Sequence, residues 1–129
     1  DDVRAKVEVD RAAHHPAEVL DAYAEADLVI ATRMHAAILA LAAGTPVLGI
    51  AYEFKTAELL GGLGLPHWVE DIETITPETL SARLGTVVSE LPAARAALFD
   101  GVERMRADAM EAGVLVAEAL ADRIAAAGA

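Results

Sequence analysis

The side chains best suited to chemistry fall in two short clusters, Thr32-Arg33-Met34-His35 and Tyr52-Glu53-Phe54-Lys55. A guanidinium can grip a phosphate or carboxylate through two parallel hydrogen bonds. An imidazole can donate a hydrogen bond, or deliver a proton as a general acid near neutral pH. Lys55 can reach the same anion, and Glu53 can orient it through a salt bridge. A cation at the start of a helix opposes the helix dipole, so two cation-capable residues there point to a bound anion. Spacing alone also fits a plainer reading, in which Arg33 pairs with a surface carboxylate, His35 is a satisfied core residue and Lys55 is solvated. Cysteine is absent, which removes disulfides, thiolate chemistry and Cys-based zinc sites. No metal-ligand spacing is visible, so no metal is expected.

What must position these clusters is a set of alternating strands and helices. Val3 to Val9 alternates apolar and polar residues, the period of a half-buried strand. Pro16 suits a first helical position and opens a short helix with Val19, Leu20 and Tyr23 on one side. Leu28 to Ala31 is a short apolar run of the kind found in a central parallel strand. Thr32 then reads as an N-cap, and a helix should run to about Ala43 and stop at Gly44. Thr45-Pro46 opens a strand over Val47 to Ala51, and a helix follows over roughly Lys55 to Leu60. His67-Trp68-Val69 reads as a short strand or an extended segment. Thr76-Pro77-Glu78 starts a helix to about Leu91, and Pro92 starts a last one, with a kink near Gly113, to about Ala126. No repeat is evident.

This order predicts an α/β fold, a Rossmann-like parallel sheet flanked by helices on both faces. Ligands of such sheets sit beyond the carboxyl ends of the strands. Both clusters lie at such ends, on strands expected to be neighbours.

The composition agrees. Hydrophobic residues make up 55% of the 129-residue chain, and the formal net charge is −11. A core of small aliphatic residues suits helices on a parallel sheet. The acidic surface argues against nucleic-acid binding. The uncharged stretch Ala36 to Tyr52 is long enough to raise a membrane reading, but Gly44-Thr45-Pro46 breaks it into a buried helix and a buried strand. No signal peptide or transmembrane segment is expected, and the location fits the cytoplasm.

The run from Val29 to Lys55 resembles the signature of polysaccharide pyruvyl transferases. That family shows Ser/Thr-Arg-x-His-x-x-Ile/Leu-x-Ala, then Gly-x-Pro, then Ile-x-Tyr-x-x-Lys. Here these are Thr32-Arg33-Met34-His35 with Ile38 and Ala40, Gly44-Thr45-Pro46, and Ile50-Ala51-Tyr52-Glu53-Phe54-Lys55. The resemblance covers roughly Pro16 to Asp71. It implies a two-domain GT-B-like enzyme that moves a pyruvyl group from phosphoenolpyruvate to a sugar hydroxyl pair as a ketal. The chain would be its C-terminal domain, residues 1–129, beginning late in that domain and carrying a helical tail over about 92–127. His35 would be the catalytic or donor-binding histidine. Arg33 and Lys55 would hold the donor's anionic groups, with Thr32, Tyr52 and Glu53 as further substrate contacts. The implied partners are phosphoenolpyruvate, a lipid-linked or nucleotide-linked glycan acceptor and the N-terminal domain, with no cofactor. A truncated sheet would leave an open edge, which invites a homodimer. Two other readings stand beside this one: a GT-B-like glycosyltransferase domain that binds a nucleotide-sugar, and a non-catalytic anion-binding α/β module.

Other residues invite functional readings. His14-His15 could touch the acceptor or simply form a solvated loop. Trp68 could stack on a sugar or lie buried over a helix. Glu70-Asp71 and Glu73 form an acidic cluster that reads as the approach to a helix, with acceptor contact as the other option. Glu103, Arg104, Arg106, Asp108 and Glu111 read as a solvated helix face.

Overall fold

A computed structural model describes residues 6–127. The elements, in chain order, are α1 (Pro16–Ala24), β1 (Val29–Ala31), α2 (Met34–Ala42), β2 (Val47–Ala51), α3 (Phe54–Gly62), β3 (Val69–Asp71) and α4 (Pro77–Ala127). The three strands form one parallel sheet in the order β1-β2-β3, with Ala31 opposite Gly49 and Gly49 opposite Val69. Parallel strands joined by right-handed crossovers that step in one direction place their helices on one face. α2 and α3 are accordingly neighbours.

Both crossover helices end by the same device. Gly44 takes φ +83° and Gly64 takes φ +80°. In the first, Thr45 N–H bonds the Ala40 carbonyl and Gly44 N–H that of Leu41. In the second, Leu65 N–H bonds the Leu60 carbonyl and Gly64 N–H that of Gly61. Each is a Schellman motif, which only a residue tolerant of the left-handed region closes without strain. A proline then follows, Pro46 or Pro66, and the chain re-enters the sheet. Without any repeat in the sequence, two βα units share one plan. α3 also runs on past Leu60 to Gly62, because the glycines that looked like its breakers supply its last turn and its cap.

β2 is the buried centre of the sheet. Val47 and Leu48 are fully buried, together with Leu60, Trp68, Val87 and Leu98. Gly49 lets α3 lie close, since a Cβ there would meet Thr56 Cγ2 at 2.9 Å and Leu60 Cδ1 at 3.1 Å. The side chains before and after Val69 alternate faces. Val69 lies on the α3 side with Gly49, whereas Trp68 and Glu70 are held by Glu90 and Arg83 of α4. The first half of α4 thus serves the face opposite α3, and helices flank the sheet on both sides.

Three expectations are corrected. The strand expected over Val3–Val9 does not form in its described part: Val3, Arg4 and Ala5 lie outside the described residues, and Lys6 to Val9 form no strand, with Val7 and Val9 exposed. An alternating pattern becomes a strand only where a neighbour supplies a ladder and a core, and the described residues offer that segment neither. The last strand begins at Val69 rather than His67, because Trp68 N–H is still engaged in the turn with the Leu65 carbonyl. Pro92 does not start a new helix: α4 is continuous through it and through Gly113 for 51 residues, about 75 Å. Proline there forfeits the bond to the Val88 carbonyl. Both residues face solvent, so water can satisfy that oxygen. Thr76 caps α4 as expected, exchanging reciprocal bonds with Thr79. Beyond Val102 every described residue of α4 is exposed. Among the described residues no helix is long and apolar enough to cross a membrane.

Candidate functional site

The carboxyl ends of β1 and β2 are adjacent, because the strands pair in parallel. Each strand passes through a two-residue turn into a nine-residue helix. After β1 the turn is Thr32-Arg33, and Arg33 itself is the N-cap of α2, with extended backbone at φ −115° and ψ 135°. The expected cap, Thr32, sits one residue too early for the role. Arg33 makes no side-chain cap bond. The first N–H groups of α2 therefore point outward without a protein side chain to receive them, an arrangement that favours an anion.

His35 is the second residue of α2 and is exposed, as is Arg33. Among the described residues neither lies within ion-pair reach of a carboxylate. The surface pairing that spacing alone allowed for Arg33 does not occur there, and His35 is not a core residue. Arg33 and His35 stand together at one helix start, as the sequence suggests.

The second unit presents a different rim. Glu53 is the N-cap of α3 and, like Arg33, makes no cap bond with its side chain. Lys55 is the second helical residue, the position His35 holds in α2. Its Nζ lies 3.8 Å from Glu53 Oε2, with both side chains about half exposed. Such a pair orients the lysine but adds little stability. Tyr52 and Phe54 project into solvent, 58% and 66% exposed. They form part of a cleft of about 340 Å³ with Glu53, Glu70, Asp71 and Glu73. Sequence reasoning missed Phe54. Its signal was a large aromatic at a first helical position, where no core is near.

Other readings resolve locally. His15 is the N-cap of α1 and exchanges capping-box bonds with Glu18, while His14 Nε2 lies 2.6 Å from Asp10 Oδ2. Asp10 is held below the ordinary carboxylate range, chiefly by the Ala12 N–H and then by His14. Trp68 is fully buried and donates Nε1–H to Glu90 at 2.8 Å, so it is not a sugar platform. Glu90 also meets His67 at 2.7 Å. These bonds, Trp68's first, hold the Glu90 carboxyl below its ordinary value. Thr45, in the loop of the first unit, is buried and donates its hydroxyl to the Tyr23 carbonyl at 2.6 Å, which ties α1 to the sheet. Among the described residues no group of three His, Asp or Glu could hold a metal ion.

Residues 2–53, which include Thr32 to His35 but stop short of Phe54 and Lys55, match the sequence model of the Polysaccharide pyruvyl transferase family. The chain is also 30% identical over 84 residues to the amylovoran biosynthesis protein AmsJ of Erwinia amylovora. That alignment takes in 65% of this chain and 18% of AmsJ, so the chain spans less than a fifth of its relative's length. No solved structure matches it significantly. Over this part of its length the chain is similar to the polysaccharide pyruvyl transferase family.

Proposed function

We propose that this domain serves a transferase that moves a pyruvyl group from phosphoenolpyruvate to two hydroxyls of a sugar in a cell-surface polysaccharide or its precursor. The supporting observation is the shared rim: two uncapped helix starts on adjacent parallel strands, one carrying Arg33 and His35 and the other Lys55. The donor has two anionic groups, and fixed cations with outward N–H groups suit them. Arg33 and Lys55 hold those groups, Thr32, Tyr52 and Glu53 line the approach, and His35 acts as the acid.

His35 delivers a proton to C3 of the enol, and C2 gains oxocarbenium character. A sugar hydroxyl bonds to C2 and passes its proton to the His35 imidazole, which restores the acid. A second hydroxyl bonds to C2 as the C2–O bond to phosphate breaks, and its proton leaves with phosphate. The products are a cyclic ketal and inorganic phosphate. No cofactor enters this scheme.

In this reading the chain is the C-terminal part of a two-domain, GT-B-like enzyme of the cytoplasm, and α4 is its helical tail. An N-terminal domain completes the acceptor side, and a second copy against the outer edge of β1 is a further expected partner. The test is phosphate release and ketal formation, followed by NMR, in the whole enzyme with His35→Gln. Turnover should fall by about 10²–10⁴-fold. Near-normal turnover removes His35 as the acid.

A further inference from the structure

The cleft beside Lys55 does not fit the donor. Four carboxylates line it, those of Glu53, Glu70, Asp71 and Glu73, and no lysine, arginine or histidine does. A phosphate or carboxylate entering it would meet like charge. Nor does the cleft close around a metal ion, because among the described residues no three such groups converge closely enough.

Its side chains are instead arranged for hydroxyl groups and a flat apolar face. Glu70 is committed to Arg83 of α4 and forms one wall. Asp71 Oδ1 accepts the Glu73 N–H at 2.8 Å, which holds the Asp71 carboxylate in place, and Oδ2 has no hydrogen-bond partner among the described residues. Glu73's own carboxylate has no partner among the described residues. A carboxylate can accept two hydrogen bonds side by side, the pattern that two neighbouring hydroxyls offer. Tyr52 and Phe54 add exposed rings at the mouth, and an aromatic ring presents an apolar face that a pyranose C–H face can cover. A cleft of about 340 Å³ lies at the small end of ligand pockets, enough for a ligand of about one ring.

We propose that this cleft, formed by Tyr52, Glu53, Phe54, Asp71 and Glu73 at the carboxyl ends of β2 and β3, is a subsite for one neutral pyranose ring of the acceptor. The proposal rests on the transferase reading above. It divides the rim into a cationic half for the donor and an acidic, aromatic half for the sugar, with Lys55 and Glu53 at the boundary.

The test uses the whole chain, ¹⁵N-labelled, titrated with methyl β-D-galactopyranoside and methyl α-D-glucopyranoside to about 100 mM, a range that detects binding weaker than millimolar. At least one neutral glycoside should give saturable amide shifts confined to residues 51–54 and 69–73. Glu73→Gln should weaken them about ten-fold, the loss of one charge-assisted hydrogen bond. Phe54→Ala should weaken them as well; its exposed ring leaves the fold intact, which the unchanged remainder of the spectrum verifies. A parallel titration with inorganic phosphate should shift Arg33 and His35 in both variants as in the parent chain. No saturable shift with either glycoside overturns the subsite, as do shifts that Glu73→Gln and Phe54→Ala leave unchanged. Binding of D-glucosamine without binding of the neutral glycosides also overturns it, because the cleft would then be a cation site. Failure of the phosphate shifts with the glycoside shifts intact strikes the donor reading and leaves the cleft standing.

Discussion

The two βα units, β1 with α2 and β2 with α3, share a backbone plan and differ in what they hold at the rim. Each has a short parallel strand, a two-residue turn, a helix of nine residues and a glycine in the left-handed region at its end. Neither helix receives a side-chain cap bond at its start. The first unit places Arg33 and His35 there, and the second places Tyr52, Glu53, Phe54 and Lys55. One scaffold thus offers two chemically distinct ends, side by side. The similar backbones show that the difference lies in a handful of side chains, which can be altered without disturbing the fold.

The comparison can be broken first at the chemistry. Arg33→Ala should abolish detectable phosphate binding at the first rim, whereas Glu53→Gln should leave that binding within about two-fold, since an exposed pair contributes little. Amide shifts in both variants measure this. Equal losses would mean that the Glu53–Lys55 pair matters to phosphate binding as much as Arg33 does.

The next effect concerns packing. Gly49→Ala drives a methyl into Thr56 and Leu60, and overpacking of this kind costs about 1–3 kcal/mol. Urea denaturation should show the midpoint falling with the slope unchanged. An unchanged midpoint would show that α3 can retreat from β2, and that the second unit is looser than the structure indicates.

The glycine caps give a smaller and more even effect. A Cβ at Gly44 or Gly64 meets nothing within 4 Å, so Gly→Ala at either carries only the conformational cost of positive φ, about 1–2 kcal/mol. The two losses should agree within about 0.5 kcal/mol and should add, because the sites are separate. A marked inequality would break the claim that the units share one plan.

The smallest effect is the pH dependence from Glu90. Its carboxyl is held below the ordinary range by Trp68 and His67. A depressed carboxyl contributes stability above its unfolded value, and that contribution is lost as pH falls through the folded value. The loss should therefore appear below about pH 4.3. Glu90→Gln should flatten this limb of the stability–pH profile and leave the neutral region's slope alone. A limb that survives the substitution belongs to other carboxylates.

Much of this was legible in the sequence, because its strongest signals are local. The apolar runs at Val29 and Val47, the Gly44-Thr45-Pro46 break and the Thr76-Pro77 start each specify an element through the chain's own chemistry. The Arg33 and His35 pair was visible for the same reason, since residue type and a strand-to-helix position suffice to suggest an anion. What stayed hidden depends on neighbours distant in sequence. Val3–Val9 carries the period of a strand, but the period cannot reveal whether a partner strand exists. Pro92 carries the sign of a helix start, yet packing of Val87 and Leu98 into the core on either side keeps α4 continuous. The cleft was seen only as an acidic run, because the rings of Tyr52 and Phe54 join it through the pairing of β2 with β3.

The most direct measurement is a titration of the ¹⁵N-labelled chain with phosphoenolpyruvate, with Arg33→Ala as its control. The account predicts saturable shifts at Arg33, His35 and Lys55, lost in the control, with residues 69–73 unmoved. Shifts centred on residues 69–73, or shifts that persist in Arg33→Ala, would contradict it.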